Sequence, residues 1–230
     1  TWMAEPLRYV PDGYTPSSDP AADSHIWYPY ELGTVDGTLT AKALQDEASI
    51  KQYGYLYDIH AALSGKAVTP ENCYDFEGAQ GICPKGWHIP TRAEYFSLVG
   101  NSTKDADGNS LENGKDALFY DTAYDGGKIP TLNEAKFNYQ FSGVRMSTGY
   151  SVPKYQATAI TSSNSTVTEW FGKPSMSYYM TSTAYKPIYS TSTGDLTNIQ
   201  FFGLMSTFSM AKYPEGRLSL SYISVLSGQT

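Results

Sequence analysis

Oxygen donors at alternate positions give this chain its one pattern with the spacing of a metal loop. Asp105-Ala106-Asp107-Gly108-Asn109-Ser110 resembles the start of a calcium loop, and Asp116 falls where a twelfth-position ligand would sit. Glycine stands at position four rather than six, and Asp116 replaces the usual bidentate glutamate. Asp, Asn and Gly also form solvated turns through local hydrogen bonds. A calcium site at Asp105, Asp107 and Asn109 and a simple turn therefore both stand as readings. The three imidazoles, His25, His60 and His88, are poorly placed for catalysis. His60 and Asp58 share a face at strand spacing, but nothing beside them supplies a nucleophile. His88 lies between Trp87 and Ile89 and reads as a buried, hydrogen-bonded structural residue rather than a base. Carboxylate pairs such as Glu71/Asp75 and Asp121/Asp125 are expected by chance among 23 acids, so they do not mark a glycosidase. The chain has no G-x-S-x-G, H-E-x-x-H or phosphate loop. Two cysteines without a C-x-x-C pattern or His partners build no metal site.

Recognition chemistry has a better claim. Tyr150, Tyr155, Trp170 and Phe171 fall within the long segment 146–177. Flat apolar faces with polar tips suit sugar rings and protein hot spots. Packing of the same rings onto their own domain is the alternative. Tyr57, Tyr178 and Tyr179 instead read as core or half-buried positions of the fold.

The elements that would hold these groups are partly legible. Thr91-Arg92-Ala93-Glu94 is a capping box, in which Thr91 caps the Glu94 amide and Glu94 reaches back to the Thr91 amide. Pro90 and Tyr95 have the spacing of a hydrophobic staple, and Gly100-Asn101 supplies a stop, which predicts a helix over about 92–99. A second helix is expected at about 41–52, capped by Thr38 or Thr40 and stopped by Gly54. Alternation from Tyr55 to His60 predicts a strand. Residues 1–37 hold Pro6, Pro11, Pro16, Pro20 and Pro29. They read as an extended arm or linker with an edge strand near Ile26–Tyr30. Strands are expected at 137–145, 178–183, 198–205 and 217–225, and a loop over 101–130. Helices early and strands late give an α+β domain over 38–230.

Composition narrows the function classes. Only 17% of the 230 residues are charged, and tyrosine occurs 20 times, a composition suited to a β-rich extracellular protein. A net charge of −7 argues against nucleic acid, whose binding needs clustered Lys and Arg. It also argues against anionic lipid. No apolar run approaches the ~20 residues of a membrane span. The chain opens at Thr1-Trp2 without a leader, as expected of a sequence trimmed of its export signal.

The stretch Cys83 to Tyr95 (CPKGWHIPTRAEY) resembles the C-P-x-G-W-H-x-P-T/S-x-x-E-W signature of the Fibrobacter succinogenes major paralogous domain. Tyr53 to Asp58 (YGYLYD), Phe137 to Arg145 (FNYQFSGVR), Tyr178 to Thr183 (YYMTST) and Gly216 to Ser221 (GRLSLS) resemble further blocks of that family, in order, over about residues 50–225. The resemblance implies a C-type lectin-like α+β fold, a twisted antiparallel sheet with two helices and long loops. It also implies a secreted or surface location on a bacterium, with room for a lipid anchor at the native N-terminus. The family often carries a closing cysteine that would partner Cys83. Here that position reads Tyr222 or nearby, so the resemblance implies a Cys73–Cys83 bridge, worth roughly 2–3 kcal/mol if unstrained. Segment 146–177 is longer than the family's usual link. Related lectin-like enzymes that oxidise sulfatase cysteines use paired cysteines late in the chain, which this sequence lacks. The expected function is non-catalytic recognition of a glycan or a surface protein, without a cofactor. The alternative is a structural or assembly component of a surface lipoprotein or appendage.

Overall fold

A computed structural model describes residues 1–19, 22, 24–35, 38–98, 117–119, 145–146, 149–150, 176–209 and 213–224. The chain divides into two compact units. The first comprises Thr1–Leu56, Tyr120–Tyr178 and Ser206–Leu218; the second comprises Tyr57–Phe119, Tyr179–Met205 and Ser219–Thr230.

In the first unit, β1 (Ile26–Trp27) precedes an antiparallel hairpin of β2 (Tyr30–Val35) and β3 (Thr38–Ala43). Its register runs from Tyr30 opposite Ala43 to Val35 opposite Thr38. The expected boundary at 37/38 between an arm and the domain lies between these two paired strands, and hydrogen bonds hold residues before it. Those residues are tied to the unit's own core. Ser17 bridges Trp27, its amide donating to Ile26 O at 2.8 Å, while the Tyr28 amide and the Tyr30 hydroxyl both donate to Ser17 O at 3.1 Å. Ile26, Trp27 and Tyr30 are buried.

Helix α1 (Glu47–Tyr53) is shorter than expected, and Asp46 caps it through the Ser49 amide at 2.9 Å. Thr38 and Thr40 are taken by β3, because cross-strand pairing there outweighs local helix signals. Gly54 stops the helix as expected. Its φ is +71°, and an added Cβ would lie 2.7 Å from Leu7 O and 2.8 Å from Pro6 Cβ. The Tyr55 amide donates to the same Leu7 carbonyl at 3.2 Å.

At 55–60 the expected strand is only β4 (Leu56–Tyr57), and α2 (Ile59–Ala62) follows at once. Asp58 makes the difference, its carboxylate accepting from the Ala61 amide at 2.8 Å as an N-cap. A 3₁₀ turn at Cys73–Phe76 and α3 (Arg92–Leu98) follow in the second unit. A four-stranded sheet contains β5 (Ala117–Phe119), β8 (Met176–Tyr189), β9 (Leu196–Ser209) and β10 (Tyr213–Ser224), in the order β5-β10-β9-β8. A separate short pair, β6 (Arg145–Met146) with β7 (Gly149–Tyr150), belongs to the first unit. Strands expected at 178–183, 198–205 and 217–225 are thus found, each with wider bounds except at the last residue. Of the strand expected at 137–145, only Arg145 is described.

The second unit's core joins Ile59, Ala62 and Leu63 of the α2 region to Cys73, Phe76, Ile89, Ala184, Ile199 and Phe201. Tyr57, Cys83 and Met180 pack against it. Gly81 lies at the closest backbone approach, at φ +52°, where an added Cβ would collide with the Ala62 carbonyl. That carbonyl accepts the Ile82 amide at 2.9 Å.

Candidate functional site

The signature segment is held from within before it is held by anything else. The Glu94 amide donates to Thr91 Oγ1 at 3.2 Å, and Glu94 Oε2 accepts the Thr91 amide at 2.8 Å and its hydroxyl at 3.0 Å. This is the reciprocal capping box the sequence predicts. Upstream, the Trp87 amide donates to Pro84 O at 2.9 Å, and Gly86 adopts φ +86° at the third position of that turn. Positive φ there defines a type II turn and favours glycine. Open space surrounds the position where a Gly86 Cβ would stand. Gln80 Nε2 donates to Cys83 O at 3.0 Å and braces the turn's entry.

The segment then docks on β8, at the edge of the sheet among the described residues. The Ser182 amide donates to Pro90 O at 2.9 Å, and the Arg92 amide donates to Thr183 Oγ1 at 2.8 Å. Ser182 Oγ donates to Ile89 O at 3.0 Å and accepts the Gly78 amide at 2.9 Å. Thr183 Oγ1 donates to Glu77 Oε1 at 2.8 Å. Arg92 lays its guanidinium 4.3 Å from the centre of the Phe202 ring, which also meets Tyr185 edge-on. Burial lowers the Arg92 pKa without approaching neutrality. Further along β8, Pro187 removes one edge donor and Lys186 is exposed, both common guards of an edge strand.

His88 departs from expectation. It is exposed, not buried: its side chain is 44% accessible and that of Glu94 42%. Its Nε2 lies 2.8 Å from Glu94 Oε1 and 3.0 Å from Oε2. The reason is positional. Glu94 sits on the first turn of α3 with its carboxylate turned back over the cap, and the Pro84–Trp87 turn brings His88 to it on the outside. Burial alone pushes the Glu94 carboxyl up. Hydrogen bonds from the Thr91 amide, the His88 ring and the Thr91 hydroxyl, with an added pull from the imidazole when it is protonated, outweigh that and leave it lowered. Trp87 is half-buried, and Pro84, Lys85 and Gly86 are exposed.

The expected Cys73–Cys83 bridge is absent: both are free thiols, Cys73 buried with Sγ 3.5 Å from Pro70 O, Cys83 against the same core. Burial pushes both thiols up, which makes them poor nucleophiles. His25 stacks edge-on against Tyr14 with centroids 5.8 Å apart, and His60 lies in the last turn of α2. Glu71 and Asp75 are exposed. Tyr150 pairs with Arg145 in the β6–β7 hairpin. Asp105, Asp107, Asn109, Asp116, Asp121, Asp125, Tyr155, Trp170 and Phe171 lie outside the described residues.

Sequence reasoning missed Ser182, Thr183 and Glu77 as partners of the signature. Their one trace is the Thr-Ser-Thr run in the YYMTST block, which gives no hint of a contact some ninety residues away. No helix among the described residues is long and apolar enough to cross a membrane. Neither among curated proteins nor among solved structures does any match the chain. A family model does match, over residues 1–201, and so takes in the N-terminal segment as well as the signature. The chain belongs to the Fibrobacter succinogenes major domain family.

Proposed function

We propose that this chain is a non-catalytic recognition module of the bacterial cell surface, exported from the cell, that binds a glycan or a surface protein. The proposal includes a C-type lectin-like α+β fold. One observation carries the reading. Pro84, Lys85, Gly86 and His88 of the signature are exposed, with Trp87 half-buried among them, on a frame that is hydrogen-bonded within itself and to β8. A segment that only locked the fold would bury its Trp and His. A rigid scaffold presenting exposed aromatic and polar groups is the usual build of a binding site. Tyr74 and Tyr189 add further exposed rings in the same unit, 56% and 51% accessible.

The assembly reading, in which a free N-terminal arm docks on a partner, is weaker. Leu7, Ser17, Ile26 and Tyr30 are engaged within their own unit. A polysaccharide and glycan binding screen in millimolar calcium, repeated with chelator, tests the proposal. A reproducible hit supports recognition, and its loss with chelator would assign a role to the Asp105 segment. A blank across glycans, followed by failure to retain any surface protein, would overturn the reading.

A further inference from the structure

We infer that the Lys85–His88 turn is a binding site for a neutral glycan, with Trp87 as its stacking surface, His88 as a hydrogen-bond acceptor and Glu94 as a positioning residue. The inference rests on the recognition reading above and names its site and ligand class.

The chemistry follows from one carboxylate. Glu94 is ionised at neutral pH and can only accept hydrogen bonds. With Nε2 at 2.8 Å from Oε1, a neutral His88 ring must therefore carry its proton on Nε2. That leaves Nδ1 as a lone-pair acceptor, and Nδ1 has no hydrogen-bond partner among the described residues. A carboxylate on one imidazole nitrogen fixes the ring's tautomer and orientation. The Glu94 carboxylate is itself fixed by the Thr91 amide and hydroxyl at 2.8 and 3.0 Å. The acceptor is thus set at the surface with little freedom to lose.

An acceptor lone pair selects its ligand. It rejects an oxyanion, which brings only lone pairs of its own, and it takes an O–H donor. The chain's net charge of −7 disfavours anionic polymers as well. Trp87, next in sequence and half-buried, offers apolar ring surface of the kind on which a sugar face stacks. The Gly86 turn leaves open space on its outer side, so a polymer can approach the turn without displacing protein. Hydroxyl donors beside apolar ring faces are the chemistry of a neutral polysaccharide.

The test uses the full chain and three probes: the hexaoses of β-1,4-linked glucose, xylose and N-acetylglucosamine. Binding is read by tryptophan fluorescence and calorimetry for the unaltered protein, Trp87→Ala, His88→Ala and Glu94→Gln. At least one hexaose is expected to bind. Trp87→Ala should weaken it more than tenfold, and His88→Ala about tenfold, the scale of one hydrogen bond lost beside a stacking ring. Glu94→Gln should weaken it as His88→Ala does, because its amide can donate to Nε2 and release the tautomer. Long-range proton–nitrogen spectra give the positioning readout: Nε2–H alone in the unaltered chain, a mixture in Glu94→Gln. Unfolding midpoints of His88→Ala within a degree or two of the parent would exclude misfolding as the cause. If the parent binds a hexaose and all three variants bind it equally, this site is wrong and recognition stands. If the parent binds none of the three, the neutral-glycan inference is overturned, while protein recognition is judged separately by retention of surface proteins.

Discussion

Replacing Ser182 by alanine removes one oxygen that serves three main-chain groups. Ser182 Oγ lies 3.0 Å from Ile89 O, 3.3 Å from Pro90 O and 2.9 Å from the Gly78 amide, and the residue is fully buried. The carbonyl of buried Ile89 loses its hydroxyl donor, at a cost of about 1–3 kcal/mol for an unsatisfied buried group. Pro90 O keeps the Ser182 amide at 2.9 Å, so its loss is small. Gly78 is exposed, and water can take over part of its hydrogen bond. The sum is about 2–3 kcal/mol, which for a chain of this size lowers the unfolding midpoint by about 5–10 °C. Thermal unfolding followed by circular dichroism, with urea titration for the free energy, measures it. Ser192→Ala is the control. Ser192 bonds only its neighbour Ser190 at the exposed hairpin tip, at 2.9 Å, and should change stability by less than about 0.5 kcal/mol. If Ser182→Ala matched the control, the signature would not be docked on β8 through this hydroxyl, and the frame argued for the site would fall.

Three further outcomes follow from the same structure. Gly81→Ala should destabilise by more than about 3 kcal/mol, since its Cβ meets the Ala62 carbonyl at φ +52° and left-handed backbone alone costs about 1 kcal/mol or more; loss of soluble expression or a collapsed urea midpoint would show it. Glu94 has a lowered pKa in the fold, so the stability it contributes is present above its unfolded pKa and lost as pH falls through the folded one. Urea midpoints of Glu94→Gln should accordingly fall less steeply with acid than those of the parent across the carboxylate range, and parallel curves would contradict this. Because Cys73 and Cys83 are free thiols raised by burial, native protein should alkylate slowly, and denatured, unreduced protein should gain two alkyl groups by intact mass. No gain would mean a bridge.

What could be read from sequence was what is local. The Thr91–Glu94 box spans four residues and carries its own geometry, and Gly54 stops a helix through its own φ. Asp58 and Asp46 are equally local, but strand alternation masks the first as a cap, and threonines nearer the expected helix start compete with the second. The hairpin over Tyr30–Ala43 depends on cross-strand pairing, which has no mark in either strand alone. The dock of Ile89–Arg92 on Ser182–Thr183 depends on residues some ninety positions apart. The exposure of His88 could not be read from a motif that looked like core. It follows from the Gly86 turn and from a carboxylate already committed to the helix cap.

The central claim is that the Lys85–His88 turn, framed by α3 and β8, is where this protein meets its ligand. Amide and imidazole chemical-shift mapping of the full chain against the three neutral hexaoses tests it most directly. The account predicts shifts concentrated at Lys85, Gly86, Trp87, His88 and Glu94, with the imidazole Nδ1 of His88 moving most. Shifts confined to other surfaces, or none with any hexaose, would contradict it.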